Sequence, residues 1–335
     1  MPHVLGIDLG NSHVAAAVSR AGASGWTVPE VICESPAVLR LTPDGTLVTG
    51  EHGDGQAVRD FVARVGDDVP MVVGGEPCRP QTLAAMLAMW AVERTSAWER
   101  EHAEHIVLGY PSAWGQYRRE LLRAALREVG LHEVTLLPKP VIAAEGHPAR
   151  VMGLYSLGRK GYSAAVLRRS RPAGFEMLAC LEGVPPLGSE DMLAAGSEEE
   201  VRSAVRLTVD TLLWTVRSAG LQPDQLDDVL LVGAAAEVPL VEETIRADFP
   251  NRVTMATDPQ FTAATGAARV ASRLLSGPVS PLPAQRSAPP YDQQPSGEVS
   301  VLDESPPRPP VRITSLKLPR RRALTQGRSF SLFGL

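Results

Sequence analysis

"HVLGIDLGNSHVAAAVSR", residues 3–20, is an apolar run, a Gly-Asn-Ser turn and a second apolar run. The run lengths and the turn chemistry predict two short strands joined as a tight hairpin. The first strand ends at Asp8, and Gly10, Asn11 and Ser12 make the turn. Glycine lets the backbone approach a ligand closely, and successive turn N–H groups form a nest for an anion. A carboxylate at Asp8 is placed to hold a metal-bound water beside a phosphate. The same residues also read as a surface hairpin with no ligand, and this stretch alone does not choose between the two.

The frame recurs in the second half, where "MGLYSL" and "YSAAVLR" flank the turn in "YSLGRKGYSAAVL", residues 155–167. Arg159 and Lys160 stand there where a phosphate-gripping turn would carry bare glycine. Between the two hairpins, "PAVLRLTPDGTLVTG" (36–50) predicts a hairpin turning at Asp44-Gly45. "PQTLAAMLAMWAVERTSAW" (80–98) predicts a helix, "HIVLGYP" (105–111) a buried strand, and "GQYRRELLRAALREVGL" (115–131) an amphipathic helix stopped at Gly130. "EVTLLPKP" (133–140) reads as a strand. After the second hairpin come strand "EMLACLEG" (176–183) and a long helix over 197–221, where Ser197 and Glu200 make a capping box. A strand, turn and helix over 227–249 and a last helix over 262–275 follow. Each half therefore opens with a hairpin and continues with alternating strands and helices, an order that predicts mixed sheets covered by helices. A ligand is expected between the halves.

A chain of 335 residues with 44% hydrophobic content can form one large domain or two ordinary ones. A net charge of −5 gives no bulk reason to bind nucleic acid or membrane. Cys33, Cys78 and Cys180 are scattered, without a CxxC pair, so neither zinc nor disulfides are indicated. No long uncharged apolar run suggests a membrane span, and no leader pattern precedes the first strand, so cytoplasm is the expected compartment. From Ser276 the composition changes: 10 of the 29 prolines lie between Ser276 and Pro310, and Ser305 to Leu335 holds seven Lys/Arg and no acid. Such a segment cannot build a core and is expected to be a disordered Pro-rich, then basic, tail.

Six segments in order resemble the actin and heat-shock protein 70 superfamily. "GIDLG" with its polar turn resembles the first phosphate loop, "YPSAWGQYRRELLRAALREVGL" the proline-aromatic-arginine segment, and "LPKPVIAA" the hinge strand. "LGSEDML" resembles the leucine-glycine-glutamate-aspartate turn, "AGLQPDQLDDVLLVGAAAEVPLV" the adenosine loop, and "DPQFTAATGAARVAS" the helix after it. The resemblance covers Val4 to about Leu275 and implies an α/β, actin-like (ribonuclease H-like), two-lobed ATPase fold. The implied layout is lobe I over 1–146, a reduced lobe II over 147–275 whose last helix returns to lobe I, and the tail over 276–335.

The resemblance also assigns residues, and the departures matter more than the matches. The implied nucleotide-binding positions are Asp8, Gly10, Asn11, Ser12, Gly158, Lys160, Gly161, Gly233 and Ala234. In the second loop the family's metal-side aspartate is Ser156, two glycines are Arg159 and Lys160, the threonine is Gly161, and a second acid is Ser163. The hinge glutamate is Lys139, and no lysine lies between Glu51 and Pro80, where the family's catalytic lysine would align near Val62. Glu237 replaces the adenine-stacking arginine, and the stretch before the adenosine loop is too short for the family's extra subdomain. Pro111 and Arg119, which the family uses in its relay to a partner domain, are kept.

The family's ATPase works by positioning charge around metal-bound phosphates. With those acids gone, no catalytic residue and no metal site are expected, ATP or ADP is expected to bind weakly, and magnesium is not expected. Either Lys139 or Lys160 should pair with Asp8 and close the site, or the cations should take an anion directly. Two functions follow: a regulatory or scaffold pseudo-ATPase, or a slow ATP-dependent switch resembling a co-chaperone. The partner is an unknown protein, met through the lobes or the tail; nucleic acid is not expected. His102 and His105 lack a third ligand and read as solvated, Glu198 to Glu200 as first-turn helix charge, and Trp90 and Trp98 as packing.

Overall fold

The computed structural model describes residues 1–42, 47–50, 56–170, 174–183 and 197–276, which belong to one compact unit. It is a mixed α/β protein with several sheets, of the general kind an actin-like fold has. No helix among the described residues is long and apolar enough to cross a membrane.

The first sheet is built around β1 (His3–Leu9) and β2 (His13–Gly22), which pair antiparallel from His3↔Arg20 to Leu9↔Val14. A two-residue strand, β3 (Gly25–Trp26), and the longer β4 (Glu30–Pro36) continue from β2. On the other side, β10 (Ile106–Tyr110) joins β1 in parallel and β11 (Val134–Pro138) joins β10 in parallel. Between them lie three short strands, β5 (Leu39–Leu41), β6 (Leu47–Thr49) and β7 (Gln56–Val58), in a small sheet of their own. A separate hairpin pairs β8 (Met71–Val73) with β9 (Glu76–Cys78).

The second sheet repeats the first. β12 (Val151–Leu157) and β13 (Tyr162–Ser170) form its hairpin, and β14 (Gly174–Gly183) pairs antiparallel with β13. β15 (Asp228–Val232) joins β12 in parallel and β16 (Val253–Met255) joins β15 in parallel. The orders β11-β10-β1-β2-β4 and β16-β15-β12-β13-β14 therefore match in sequence and in strand sense. The hydrophobic run of each central strand fits burial on both faces.

Helices α1 (Pro80–Glu99) and α2 (Gln116–Glu128) cover one face of the first sheet. They bury Leu83, Leu87, Leu122 and Leu126 against Leu5, Ile7 and Leu9. Helices α4 (Glu198–Ser218) and α5 (Pro239–Asp248) cover the second sheet, with Val205, Val209 and Leu212 against Tyr155 and Leu157. The Ser197–Glu200 capping box at the start of α4 is present in both directions. Gly130, at φ +97°, follows α2.

One helix connects the sheets, and the last helix packs against it. The strand predicted over 133–140 stops at Pro138, and Lys139 opens a short helix, α3 (Lys139–Ala143). The physical reason is Pro140: it cannot donate into a ladder but is favoured in a first helical turn. α3 touches β10 and β11 on one side and β13 and β14 on the other. Ile142 enters a core with Val4, Val107, Ala267 and Val270, while Ala143 and Ala144 enter another with Met152, Leu154 and Leu230. The last helix, α6 (Thr262–Ser276), packs on β1, β2, β10 and α3.

Other expectations fare unevenly. β5 and β6 pair from Leu39↔Thr49 to Leu41↔Leu47, but the Asp44-Gly45 turn lies outside the described residues. So do "LGSEDML" and residues 277–335. Trp90 packs against the first core, whereas Trp98 is 70% exposed and is not a packing residue. Among the described residues no group of three or more His, Cys, Asp or Glu could hold a metal, and His105 instead bonds Thr135 Oγ1 at 2.9 Å. Strands β3, β4, β7, β8, β9 and β16 were not foreseen.

The contact between α3 and α6 is a backbone contact. A methyl group at Gly266 would overlap the Ile142 carbonyl oxygen, so α6 comes as close as it does only because residue 266 has no side chain. Gly266→Ala is expected to lower stability by roughly 3 kcal/mol, within the range of severe overpacking. Urea unfolding of the variant measures this; an unchanged midpoint would mean that the two helices are not held in this approach.

Candidate functional site

The turns of the two hairpins face each other across a cleft of about 440 Å³. They share one geometry. Gly10 N–H donates to the His13 carbonyl at 2.9 Å, and Gly158 N–H donates to the Gly161 carbonyl at 2.8 Å. Arg159 and Lys160 thus occupy the turn positions that Asn11 and Ser12 occupy in the first hairpin. All the positions singled out from the sequence, from Asp8 through Gly158 to Ala234, line this one cleft. Val62, Lys139, Ser156 and Ser163 line it too, with the two serines opposite each other in the β12–β13 register. Glu237 is the exposed last residue of the short 3-10 turn Ala234–Glu237 and is not part of the lining.

Most of the charge in the cleft is paired internally; Arg118, which also lines it, has no ion-pair partner among the described residues. Lys139 Nζ lies 2.7 Å from Asp8 Oδ1, with the two side chains 27% and 19% exposed. The approach is off the axis of a linear hydrogen bond, so the contact acts as a charge pair. Lys139 owes its place to being the first residue of α3, which starts at the C-terminal end of β11. The second turn reaches across to the first sheet. Arg159 Nη1 is 2.8 Å from His13 Nε2, and Lys160 Nζ is 2.7 Å from Asp60 Oδ1. A third crossing joins Ser112, just after β10, to β14: its N–H and hydroxyl both donate to Glu182, and its oxygen lies 2.9 Å from Cys180 Sγ. Burial pushes the Cys180 thiol up to about 12, so it is not a nucleophile at neutral pH.

Asn11 has a structural duty. Its side-chain oxygen accepts the Ala63 N–H at 3.1 Å and ties the segment after Asp60 to the first turn. Gly233, at φ +94°, is required by contact rather than by a ligand: a Cβ there would lie 2.5 Å from the Leu157 carbonyl oxygen. Arg119 sits over the Tyr110 ring at 5.9 Å, and Tyr110 stacks with Trp114. Pro111 therefore begins a loop packed from both ends.

These residues do not fit a magnesium ion. Among the described residues, the carboxylates that line the cleft are Asp8, Glu34 and Glu182. Asp8 faces Lys139, Glu182 is taken by Ser112, and Glu34 is 4.0 Å from His13. Magnesium demands near-octahedral oxygen ligation, and a cation beside Asp8 opposes it.

No protein-family profile matches the chain. Curated relatives do. The chain is 26% identical over 212 residues to the "Chaperone protein DnaK" of Elusimicrobium minutum, covering 57% of this chain and 34% of that one. It is 22% identical over 358 residues to the "Chaperone protein HscA homolog" of Tolumonas auensis, covering 81% of this chain and 58% of that one. The HscA of Pectobacterium carotovorum is 24% identical over 359 residues, with the same coverage. The chain is a divergent homologue of the heat-shock protein 70 chaperones, and it spans less than two thirds of the length of these relatives.

Sequence reasoning missed Asp60, His13, Ser112 and Glu182. Asp60 has a positive φ of 60° and stands in a segment without periodicity, so nothing local marks it. Ser112 and Glu182 meet only because β10 and β14 end near one another. Lys139→Met should cost about 2 kcal/mol, less than the 3–5 of a fully buried pair, because it leaves Asp8 without its cation. Lys160→Met should cost under about 1 kcal/mol, since that pair is exposed. Denaturant unfolding of both, with Asp8→Asn to close a double-mutant cycle, measures the coupling; a neutral Lys139→Met would remove the charge pair as a closing element.

Proposed function

We propose that the chain is a heat-shock-70-like, two-lobed nucleotide-binding-domain protein whose cleft no longer serves as an ATPase site, and that it acts as a regulatory or scaffold pseudo-ATPase toward a protein partner. The observation that carries this reading is the Lys139–Asp8 pair at 2.7 Å. It puts a cation where the resemblance calls for metal-facing acids. The serines at 156 and 163 and the apolar Val62 support the same reading, because each lacks the charge that phosphoryl transfer requires.

In this reading the domains are the two sheets with their helices, over 1–146 and 147–275, and the cleft between them is held by Arg159–His13, Lys160–Asp60 and Ser112–Glu182. Closure of that kind is the bound-like state of a clamp, reached without its ligand. The partner surface would then be permanently displayed instead of being switched. Removing one preorganised charge-stabilising group typically lowers a rate by about 10²–10³, so several removals leave little turnover.

Calorimetric titration and melting curves with ATP and ADP, each with and without magnesium, test the reading. The expected result is no magnesium-dependent stabilisation and no turnover above background. Magnesium-dependent stabilisation together with steady hydrolysis that Asp8→Asn abolishes would overturn it in favour of a slow ATP-dependent switch.

A further inference from the structure

A second cavity, of about 320 Å³, lies away from the cleft, between the C-terminal half of α2 and the start of β11. Leu126 and Leu131 form its apolar part, and its polar part is dominated by nitrogen donors: Arg123, Arg127, His132 and His105, against one acid, Glu133. We propose that this cavity binds a phosphate monoester.

The argument starts from α2. Arg123 and Arg127 are four apart, so they stand on one helical face, and both are exposed. Neither has a carboxylate partner among the described residues. Three of the four arginines of α4 and α5 are different: Arg202, Arg206 and Arg246 each hold a carboxylate at 3.2 Å or less. Two unpaired guanidinium groups aimed into one cavity repel each other, and an anion between them removes that cost. Two forks of donors with a histidine suit the three oxygens of a phosphate monoester better than the two of a carboxylate, which one fork satisfies.

The C-terminal end of the α2 dipole opposes an anion, and the two guanidinium groups must outweigh it. Three of the last carbonyls of α2 are already used: Val129 N–H goes to Ala125, Gly130 N–H to Arg127, and Leu131 N–H to Leu126. Glu133 is the one opposing charge in the lining. His105 is held by Thr135 at 2.9 Å and walls the cavity from β10's side. β11 is the edge of its sheet among the described residues, so a ligand reaches the cavity without moving an element.

The site is independent of the cleft and of the function proposed for it. Isothermal titration of the full chain with inorganic phosphate, glycerol phosphate and a phosphoserine peptide, each against sodium chloride of equal ionic strength, tests it. Saturable binding is expected. Arg123→Gln and Arg127→Gln should each weaken it about tenfold, the loss of one charge-assisted contact. Arg→Lys at either position should weaken it less, because charge is kept and the fork is lost. Lys160→Ala, in the cleft, should leave it unchanged. Tight binding of glycerol phosphate alone identifies a free ester as the ligand, and tight binding of the peptide alone identifies a phosphorylated partner. The proposal is overturned if none of the three binds beyond chloride, if binding survives the double arginine variant with native circular dichroism, or if binding is lost in Lys160→Ala.

Discussion

Lys139 is both the first residue of α3 and the cation on Asp8, and much of the molecule hangs on that coincidence. β1 carries Asp8 at its end, and α3 carries the side chains that enter two different cores, Ile142 on one side and Ala143 on the other. The pair therefore pins the helix joining the sheets to the central strand of the first sheet. A charge held at 2.7 Å with little solvent around it tolerates small shifts poorly. The overlap that any side chain at Gly266 would meet at Ile142 adds a steric limit from the other side. Position 139 is thus fixed by charge and position 142 by contact.

The repeated hairpin was legible because it is local. A strand, a four-residue turn and a strand need only runs of apolar residues and turn chemistry, and Leu5, Ile7, Leu154 and Val166 supply them. The capping box at Ser197 was legible for the same reason. Strands such as Met71–Val73 and Val253–Met255 were not, since they are too short to show a period; β5 and β6, equally short, were marked by the turn signal at Asp44-Gly45. Homology segments placed the cleft residues together, which periodicity could not have done. What the sequence left hidden were partners set by long-range geometry: Asp60 for Lys160, His13 for Arg159, Glu182 for Ser112. Trp98 erred in the other direction, because helical spacing from Trp90 says nothing about whether a neighbouring element covers the helix end.

The substitutions in the two turns form a consistent physical set. Glycines in a phosphate-gripping turn serve two separate needs, a backbone angle and room for the ligand. Here Gly10, Gly158 and Gly161 do not have positive φ, and neither do Arg159 and Lys160. The backbone of the second turn thus makes no demand for glycine at 159 and 160, and its closing bond from Gly158 to Gly161 involves main-chain atoms alone. Room for a ligand is the only need that bare glycine would meet at those two positions. Long cationic side chains there use that room to reach His13 and Asp60 on the other side of the cleft. Asp8 poses the complementary problem. A carboxylate that is four-fifths buried needs a counter-charge, from a metal with its waters or from a side chain. Ser156 and Ser163 offer a metal no carboxylate beside Asp8, and a lysine at the start of α3 supplies the counter-charge. In the proposed reading the residues at 139, 156, 159 and 160 form one set, in which contacts that a ligand would otherwise make are made by the protein itself.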